Sequence, residues 1–202
     1  MVSLVTRPAP AFTAEAVMPN GSFKQVSLSD CKGKHVVLFF WPFDFTFVCP
    51  SEIIAFDKAL EKFRQRGVEV LGVSIDSTFV HFAWKSTPVE KGGIGNVQFP
   101  LIADVDKSIA KSYGVLLEGG IALRGTFIID KEGIVRSTII NDLPLGRSVK
   151  EVLRIVDAQQ FTEEHGEVCP ANWRKGKAAM KPTAVGVAAY LEEHYGKEEK
   201  SR

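Results

Sequence analysis

The side chains most capable of chemistry in this sequence are its three cysteines, Cys31, Cys49 and Cys169. Cys49 directly precedes Pro50, and proline is favoured in the first turn of an α-helix. The unpaired N–H groups and the dipole at a helix N-terminus stabilise an anion, so this position favours the thiolate form of a cysteine. A lone cysteine is more often an inert, buried residue, but this setting predicts that Cys49 is a nucleophile.

The class of substrate depends on which other side chains could assist a thiolate. A cysteine hydrolase needs a histidine base within hydrogen-bonding distance of the sulfur, and none of the four histidines stands in a diagnostic sequence context. A peroxide needs less help, because the thiolate attacks one oxygen atom while the other leaves with the negative charge. A hydroxyl group and a guanidinium suit the task of stabilising this moving charge.

The residues around Cys49 carry a specific motif. The segment DFTFVCPSE, residues 44–52, resembles the peroxidatic-cysteine segment of the peroxiredoxins. Pro42, Thr46 and Cys49 fall on the proline, threonine and cysteine of the P-x-x-x-T-x-x-C pattern of that family. Arg124, which opens the stretch RGTFIID, matches the catalytic arginine that precedes a strand in the family.

A second motif, HGEVCPANW at residues 165–173, is similar to the resolving-cysteine segment of the typical two-cysteine class. The resemblance extends over residues 8–195, and the motifs occur in the order of the family. It implies an α/β chain with a thioredoxin-like fold, in which a central mixed β-sheet is flanked by helices and followed by a C-terminal arm. Residues 1–161 would form the thioredoxin-like peroxidase domain, and residues 162–202 the arm that carries the resolving cysteine.

The resemblance also implies a role for each site residue. Cys49 would attack the peroxide and become a sulfenic acid, while Thr46 holds the thiolate and the peroxide through its hydroxyl group. Arg124 would stabilise the thiolate and the developing charge, and Pro42 would shield the pocket from water. Cys169 of another subunit would then condense with the sulfenic acid to give an intersubunit disulfide, which a dithiol protein reduces by exchange.

Two charged residues and the third cysteine complete the set of candidates. Glu52 is expected to orient an arginine of the site without contacting the peroxide itself. Arg147, in the family-like stretch NDLPLGR, is expected to be a second arginine near the site. Cys31 lies in a polar turn, SDCKGK, where nothing resembles the setting of a nucleophile or a metal ligand. We therefore interpret Cys31 as an incidental free thiol.

Substrates and partners are likewise implied by the resemblance. The substrates would be hydrogen peroxide and organic hydroperoxides, and the reductant either thioredoxin or a dedicated flavoprotein disulfide reductase. The arm implies a homodimer and a decamer of five dimers, in which Ser77 and Phe79 match the ring interface of relatives. No cofactor and no metal are implied. Two alternatives stay open: a redox-regulated holdase chaperone, and a structural thioredoxin-fold binding module without turnover.

Hydrophobic periodicity assigns these residues to secondary structure. Residues 36–40 and 68–75 are predicted to be buried strands, and residues 50–66 between them a helix that Gly67 caps. This strand–helix–strand order predicts a parallel pair of strands and puts Cys49 at the start of the helix. The other predicted elements are a hairpin over residues 126–129 and 134–140, helices over 79–85, 107–113 and 148–161, and an amphipathic stretch over 183–195.

Length and composition limit the number of domains, the partners and the location of the protein. The chain has 202 residues, which suits one domain with an appended arm, and its formal net charge of +1 argues against a dedicated nucleic-acid binder. The longest apolar run, residues 36–41, is too short to span a bilayer, and residues 1–12 lack the basic and apolar regions of a signal peptide. We therefore expect a cytoplasmic protein with reduced thiols and without membrane or nucleic-acid partners.

Overall fold

The structure is a computed structural model that describes residues 3–196. It divides into two compact units, residues 1–149 and residues 150–202. Among the described residues, no helix is both long enough and apolar enough to cross a membrane.

The first unit is built on a mixed β-sheet. Within residues 3–196 its seven strands are β1 (Thr13–Val17), β2 (Phe23–Ser27), β3 (His35–Phe40), β4 (Val68–Ser74), β5 (Leu101–Ala103), β6 (Arg124–Ile129) and β7 (Val135–Asn141). Their order across the sheet is β2-β1-β5-β4-β3-β6-β7. β3 pairs in parallel with β4, and β4 with β5, whereas the other neighbouring strands are antiparallel. The predicted α/β class with a central mixed sheet is confirmed.

Strand β3 lies inside the sheet and leads into the candidate site. All six of its residues are buried, as expected for a strand that has β4 along one edge and β6 along the other. Its last residue, Phe40, is followed by a loop that ends at Cys49, the first residue of the next helix. The predicted strand–helix–strand unit, with a parallel pair and with Cys49 at the helix start, is confirmed.

Four of the described α-helices belong to this unit: α1 (Cys49–Lys58), α2 (Leu60–Arg64), α3 (Thr78–Ser86) and α4 (Ser108–Ser112). The prediction of a single helix over residues 50–66 is wrong at Ala59, where φ of −95° and ψ of −3° interrupt the helix between α1 and α2. The amide of Ala59 is shared between the carbonyl oxygens of Ala55 and Phe56. The helix therefore narrows locally to a 3-10 turn, and the chain keeps its direction. The apolar face continues across this break, because Phe56 and Leu60 are both buried.

Hydrophobic periodicity does not predict three of the strands, β1, β2 and β5. β5 has only three residues and β2 exposes three of its five, so neither shows a run of alternating buried positions. Their pairing partners are distant in sequence, as where Val17 of β1 lies opposite Leu101 of β5. Pairing across the sheet, rather than local sequence, therefore determines these strands.

In the part of the second unit that the structure describes, there are two helices and the segment between them. Helix α5 (Val149–His165), which begins at the boundary between the units, runs four residues beyond the predicted end at residue 161. Helix α6 (Ala184–Tyr195) matches the predicted stretch, and the Thr183 hydroxyl caps it by accepting from the Gly186 amide at 3.0 Å. The charged tail, residues 197–202, lies outside the described residues, and the assignment of residues 162–202 as an arm stays a prediction.

Candidate active site

Cys49 is the first residue of α1, and its side chain is fully buried. Pro50 follows it in the first helical turn, where the missing N–H costs no helical hydrogen bond. Cys49 thus lies at the N-terminal end of α1, which is the positive end of the helix dipole. This backbone environment favours a negatively charged sulfur.

Two polar side chains contact the sulfur of Cys49. The Thr46 hydroxyl oxygen lies 2.9 Å from Sγ, and Nη1 of Arg124 donates to Sγ over 3.3 Å. The same hydroxyl also lies 2.9 Å from the carbonyl oxygen of Phe43. Since a hydroxyl has one hydrogen, it can donate either to this carbonyl or to the sulfur, and a thiolate draws the hydrogen to itself. The site can thus respond to a change of charge on sulfur without moving heavy atoms.

The loop between β3 and α1 is held by a buried network that the sequence did not reveal. The carboxylate of Asp44 accepts the indole N–H of Trp41 at 2.8 Å and lies 2.6 Å from Nδ1 of His81. The backbone N–H of Asp44 donates to the carboxylate of Asp76 at 2.9 Å. Burial raises the pKa of Asp44, and the hydrogen bond with His81 only partly opposes that shift. The next residue, Phe45, has φ of +52°, a strained conformation that these contacts hold in place.

Three charged side chains form a buried cluster beside Cys49. The carboxylate of Glu52 accepts from Nη1 of Arg124 at 2.6 Å and from Nε and Nη2 of Arg147, both at 2.9 Å. The side chains of Glu52, Arg124 and Arg147 are each at most 4% exposed. Two cations share one anion, so the cluster carries a net positive charge that a Cys49 thiolate would balance. The structure thus brings together four of the predicted residues, and Thr46 with them.

Backbone oxygens fix both guanidiniums, and an aromatic ring packs against that of Arg147. Nη1 of Arg147 donates to the carbonyl oxygens of Phe40 at 2.7 Å and Gly125 at 2.9 Å, and its guanidinium carbon lies 5.0 Å from the centre of the Phe39 ring. Nε of Arg124 donates to the carbonyl oxygen of Leu143 at 2.7 Å. Sequence reasoning missed these contacts, since any residue type supplies a carbonyl oxygen.

The charge state of Glu52 follows from competing effects. Burial alone would raise the pKa of Glu52, but the hydrogen bonds and charge of Arg147, with the charge of Arg124, outweigh it and hold the pKa below its ordinary value. Glu52 is therefore ionised at neutral pH and orients both arginines.

Comparisons with known proteins identify the family. Residues 5–138 match the family model described as "AhpC/TSA family", and residues 158–193 match "C-terminal domain of 1-Cys peroxiredoxin". The chain is 61% identical to an alkyl hydroperoxide reductase C of Helicobacter pylori over 193 residues, which cover 95% of this chain and 98% of that protein. The chain belongs to the AhpC/TSA family. Like its relatives, it is a peroxiredoxin.

Two further relatives support this assignment. Peroxiredoxin-2 of Cricetulus griseus is 56% identical to this peroxiredoxin over 191 residues, which cover 94% of this chain and 96% of that protein. The crystal structure of reduced 2-Cys peroxiredoxin from Plasmodium vivax matches it with a TM-score of 0.93 and 54% identity, covering 95% of this chain and 100% of that one. The predicted thioredoxin-like fold is confirmed, and this peroxiredoxin is a thiol-dependent peroxidase.

The remaining candidate residues of this peroxiredoxin are Pro42, Cys169 and Cys31. Pro42 is buried in the loop directly after β3, and Cys169 is half-buried in the second unit. Phe47 is 98% exposed, so its ring does not account for the burial of Cys49. Burial, followed by the charge of Glu69, raises the pKa of the Cys31 thiol, which disfavours a reactive thiolate there.

The Glu52→Gln variant is expected to lower the free energy of unfolding at neutral pH by about 3 kcal/mol, because two buried guanidiniums lose their shared anion. The difference from wild type should shrink in acid. The pKa of Glu52 is lowered in the folded protein, so its contribution is complete above the unfolded-state pKa of about 4.3 and is lost as the pH falls through the folded-state value. Urea unfolding at a series of pH values measures both effects.

Glu61 supplies a matched control for this experiment, since it is an exposed glutamate on α2. Glu61→Gln should change the free energy of unfolding by no more than about 0.5 kcal/mol. If the free energies of unfolding of wild type and Glu52→Gln differ by the same amount at neutral and at acid pH, the assignment of a lowered pKa to Glu52 is contradicted.

Proposed function

We propose that this peroxiredoxin reduces hydrogen peroxide and organic hydroperoxides with Cys49 as the attacking thiolate and Cys169 as the resolving thiol. The observation that carries the proposal is the setting of the Cys49 sulfur. It lies at the N-terminus of α1, 2.9 Å from the Thr46 hydroxyl and 3.3 Å from the Arg124 guanidinium. These are the hydroxyl and the cation that attack on a peroxide requires.

In the first step, the Cys49 thiolate attacks the nearer oxygen of the peroxide. A sulfur–oxygen bond forms as the oxygen–oxygen bond breaks, and the leaving oxygen takes a proton to become water or an alcohol. Arg124 and the Thr46 hydroxyl stabilise the negative charge as it passes from sulfur to the leaving oxygen. Glu52 and Arg147 hold Arg124 in position, and Pro42 limits the access of water. The product is a Cys49 sulfenic acid.

In the second step, Cys169 of another subunit attacks the sulfenic sulfur and forms an intersubunit disulfide with release of water. A dithiol protein, either thioredoxin or a dedicated flavoprotein disulfide reductase, then restores both thiols by exchange. The need for such a reductant supports a cytoplasmic location. Fractionation of cells that express the protein tests this location, and recovery of the protein outside the cytoplasmic fraction would contradict it.

The Cys169→Ser variant should accumulate the sulfenic acid on Cys49, because no resolving thiol remains to consume it. After one equivalent of hydrogen peroxide, dimedone should label Cys49 in most chains, as peptide mass spectrometry can show. Cys31 remains in this variant and serves as an internal control that should stay unlabelled. Labelling of Cys31 with Cys49 unmodified would contradict the assignment of the attacking sulfur.

The proposal for assembly is a homodimer and a decamer of five dimers. Strand β7 supports the dimer, since it is an edge strand whose outer side, beyond the backbone hydrogen bonds of Val135 with Thr6 and Arg7, has no strand partner among residues 3–196. A group of exposed aromatic rings supports the larger assembly: Phe79 is 75% exposed, Phe82 44% and Phe23 37%. The rings of Phe23 and Phe79 pack edge to face with centres 5.6 Å apart, so they present one apolar surface.

Phe79→Arg is expected to convert the reduced decamer into dimers, because it places a charge on the most exposed ring of this aromatic surface. Sedimentation velocity on the reduced protein measures the change. Val105→Arg is a matched control, since Val105 is 61% exposed and outside the aromatic group. Wild-type protein that sediments as a dimer at all concentrations would contradict the decamer, and a decameric Phe79→Arg protein would place its interface elsewhere.

A further inference from the structure

The segment that carries the resolving cysteine, residues 168–173, lies against α5 within the second unit. The Cys169 thiol donates toward the carbonyl oxygen of Ala158 over 3.7 Å, and its sulfur is 3.8 Å from the hydroxyl of Thr162. These two residues are four positions apart, so the sulfur faces one stripe of the helix. In this position the hydrogen of the thiol points at the helix and the cysteine is half-buried.

Trp173 anchors the end of this segment. It is only 2% exposed, its ring centre lies 4.9 Å from that of Phe161 on α5, and its indole N–H donates to the carbonyl oxygen of Lys177 at 3.0 Å. The carbonyl oxygen of Trp173 accepts a hydrogen bond from Nη1 of Arg154 at 3.1 Å. The anchor is thus tied to α5 through a ring contact and through a charged donor.

Arg154 is itself held in one orientation. Its Nε and Nη2 donate to the two carboxylate oxygens of Glu151 at 2.7 Å and 2.6 Å, a paired arrangement that leaves Nη1 directed at Trp173. Residues 154, 158 and 162 follow each other at intervals of four along α5, so Arg154 extends the stripe that the Cys169 sulfur faces. The chain from Glu151 through Arg154 to Trp173 therefore fastens the segment beside Cys169.

We propose that Arg154 is a positioning residue that latches residues 168–173 onto α5, and that opening this latch limits the rate at which Cys169 attacks oxidised Cys49. The inference rests on the proposed function, in which Cys169 resolves the Cys49 sulfenic acid. A disulfide requires its sulfurs about 2.05 Å apart and its α-carbons within about 7 Å. A sulfur that faces its own helix cannot meet a sulfur from another subunit. The segment must first lift from α5, and the hydrogen bond of Arg154 opposes this movement.

Two reactions compete for the sulfenic acid on Cys49. In resolution, Cys169 gives up its proton and its sulfur bonds to the Cys49 sulfur. The sulfur–oxygen bond breaks, and the departing hydroxide joins the proton as water. In overoxidation, a second peroxide transfers one oxygen atom to the same sulfur and leaves as water or an alcohol, so that a sulfinic acid forms. The latch slows only the first reaction, and it therefore raises the share of sulfinic acid.

Arg154→Gln tests the latch, because glutamine keeps part of the stem but neither the charge nor the paired donors. Stopped-flow mixing of the full-length variant with hydrogen peroxide should show oxidation of Cys49 within about twofold of wild type and disulfide formation about fivefold faster. The peroxide concentration that overoxidises half of Cys49 per turnover should rise by the same factor. Glu151→Gln should shift both values in the same direction by a smaller factor, since Arg154 then loses its charged partner.

Gln159→Ala is a matched control, because it removes a hydrogen bond to Glu163 elsewhere on α5 and should leave both rates unchanged. An unchanged rate of disulfide formation in folded Arg154→Gln overturns the latch, and a slower rate does so too, since Arg154 would then activate Cys169. If Arg154→Gln does not fold, a wild-type resolution rate in Glu151→Gln overturns the proposal. If wild-type protein forms no disulfide, both the proposed function and the latch are overturned.

Discussion

Replacing Cys49 with serine is expected to lower the rate of peroxide reduction by at least roughly a thousandfold. Serine has nearly the same shape and can keep the contacts with Thr46 and Arg124, so the loss would report the nucleophile alone. An alcohol is much less acidic than a thiol, and neither neighbour can act as its base. The Thr46 hydroxyl is neutral and the Arg124 guanidinium only donates hydrogen bonds. Serine therefore stays a neutral hydroxyl, which is a poor nucleophile.

Consumption of hydrogen peroxide with dithiothreitol as reductant measures this effect. Cys31→Ser is the matched control, since it makes the same substitution at a cysteine outside the site, and it should keep wild-type activity. Activity of Cys49→Ser within tenfold of wild type would mean that another residue attacks the peroxide. Suppression of client aggregation by Cys49→Ser at the wild-type level would instead identify a holdase activity that does not depend on peroxidase turnover.

Replacing Cys169 with serine should separate the two halves of the reaction. The first oxidation of Cys49 is expected to stay within about twofold of wild type, whereas thioredoxin-supported turnover should fall at least roughly a hundredfold. Thioredoxin reduces disulfides by exchange, and this variant cannot form one between Cys49 and Cys169. Because Cys49 is fully buried in the first turn of α1, disulfide formation in wild-type protein also requires that turn to open.

Two measurements check this second prediction. Rapid-mixing kinetics follow the oxidation of Cys49, and a coupled assay with thioredoxin and its reductase follows turnover. On non-reducing gels, oxidised wild-type protein should migrate as a disulfide-linked dimer, and oxidised Cys169→Ser as a monomer. Monomeric migration of the oxidised wild type would contradict the intersubunit disulfide, and sustained thioredoxin-dependent turnover by Cys169→Ser would remove Cys169 from the resolving role.

Several features of the fold were predictable because they depend on neighbouring residues. The parallel pair β3 and β4 follows from two apolar runs with a helical pattern between them. The end of the helix was predicted only approximately, since α2 ends at Arg64 with Gln65 as its cap, and Gly67, at φ of +64°, lies in the turn that follows. The start of α1 at Cys49 follows from the adjacent proline. In each case the physical cause acts within one or two turns of chain, so it can be read from a short window of sequence.

Other features depend on where distant residues meet. The break at Ala59 has no local signal, because alanine favours a helix, and the edge strand β2 pairs only once β1 is in place. His81 has no diagnostic sequence context, yet it lies 2.6 Å from Asp44, which is 37 positions earlier in the chain. No pattern along the chain encodes such a distance, and only packing brings the two side chains together.

The features of the active site likewise divide into those that local sequence determines and those that depend on distant residues. The sequence alone determined the candidate nucleophile and the helix end beside it, and the family motifs supplied Thr46, Arg124 and Cys169 as its partners. Only the tertiary structure determined that Glu52 meets Arg147 across 95 positions of chain and bridges it to Arg124. The physical reason is that a local sequence sets backbone conformation and chemical type, whereas the charge balance around a buried sulfur depends on which side chains the folded sheet and helices bring within about 3 Å of one another.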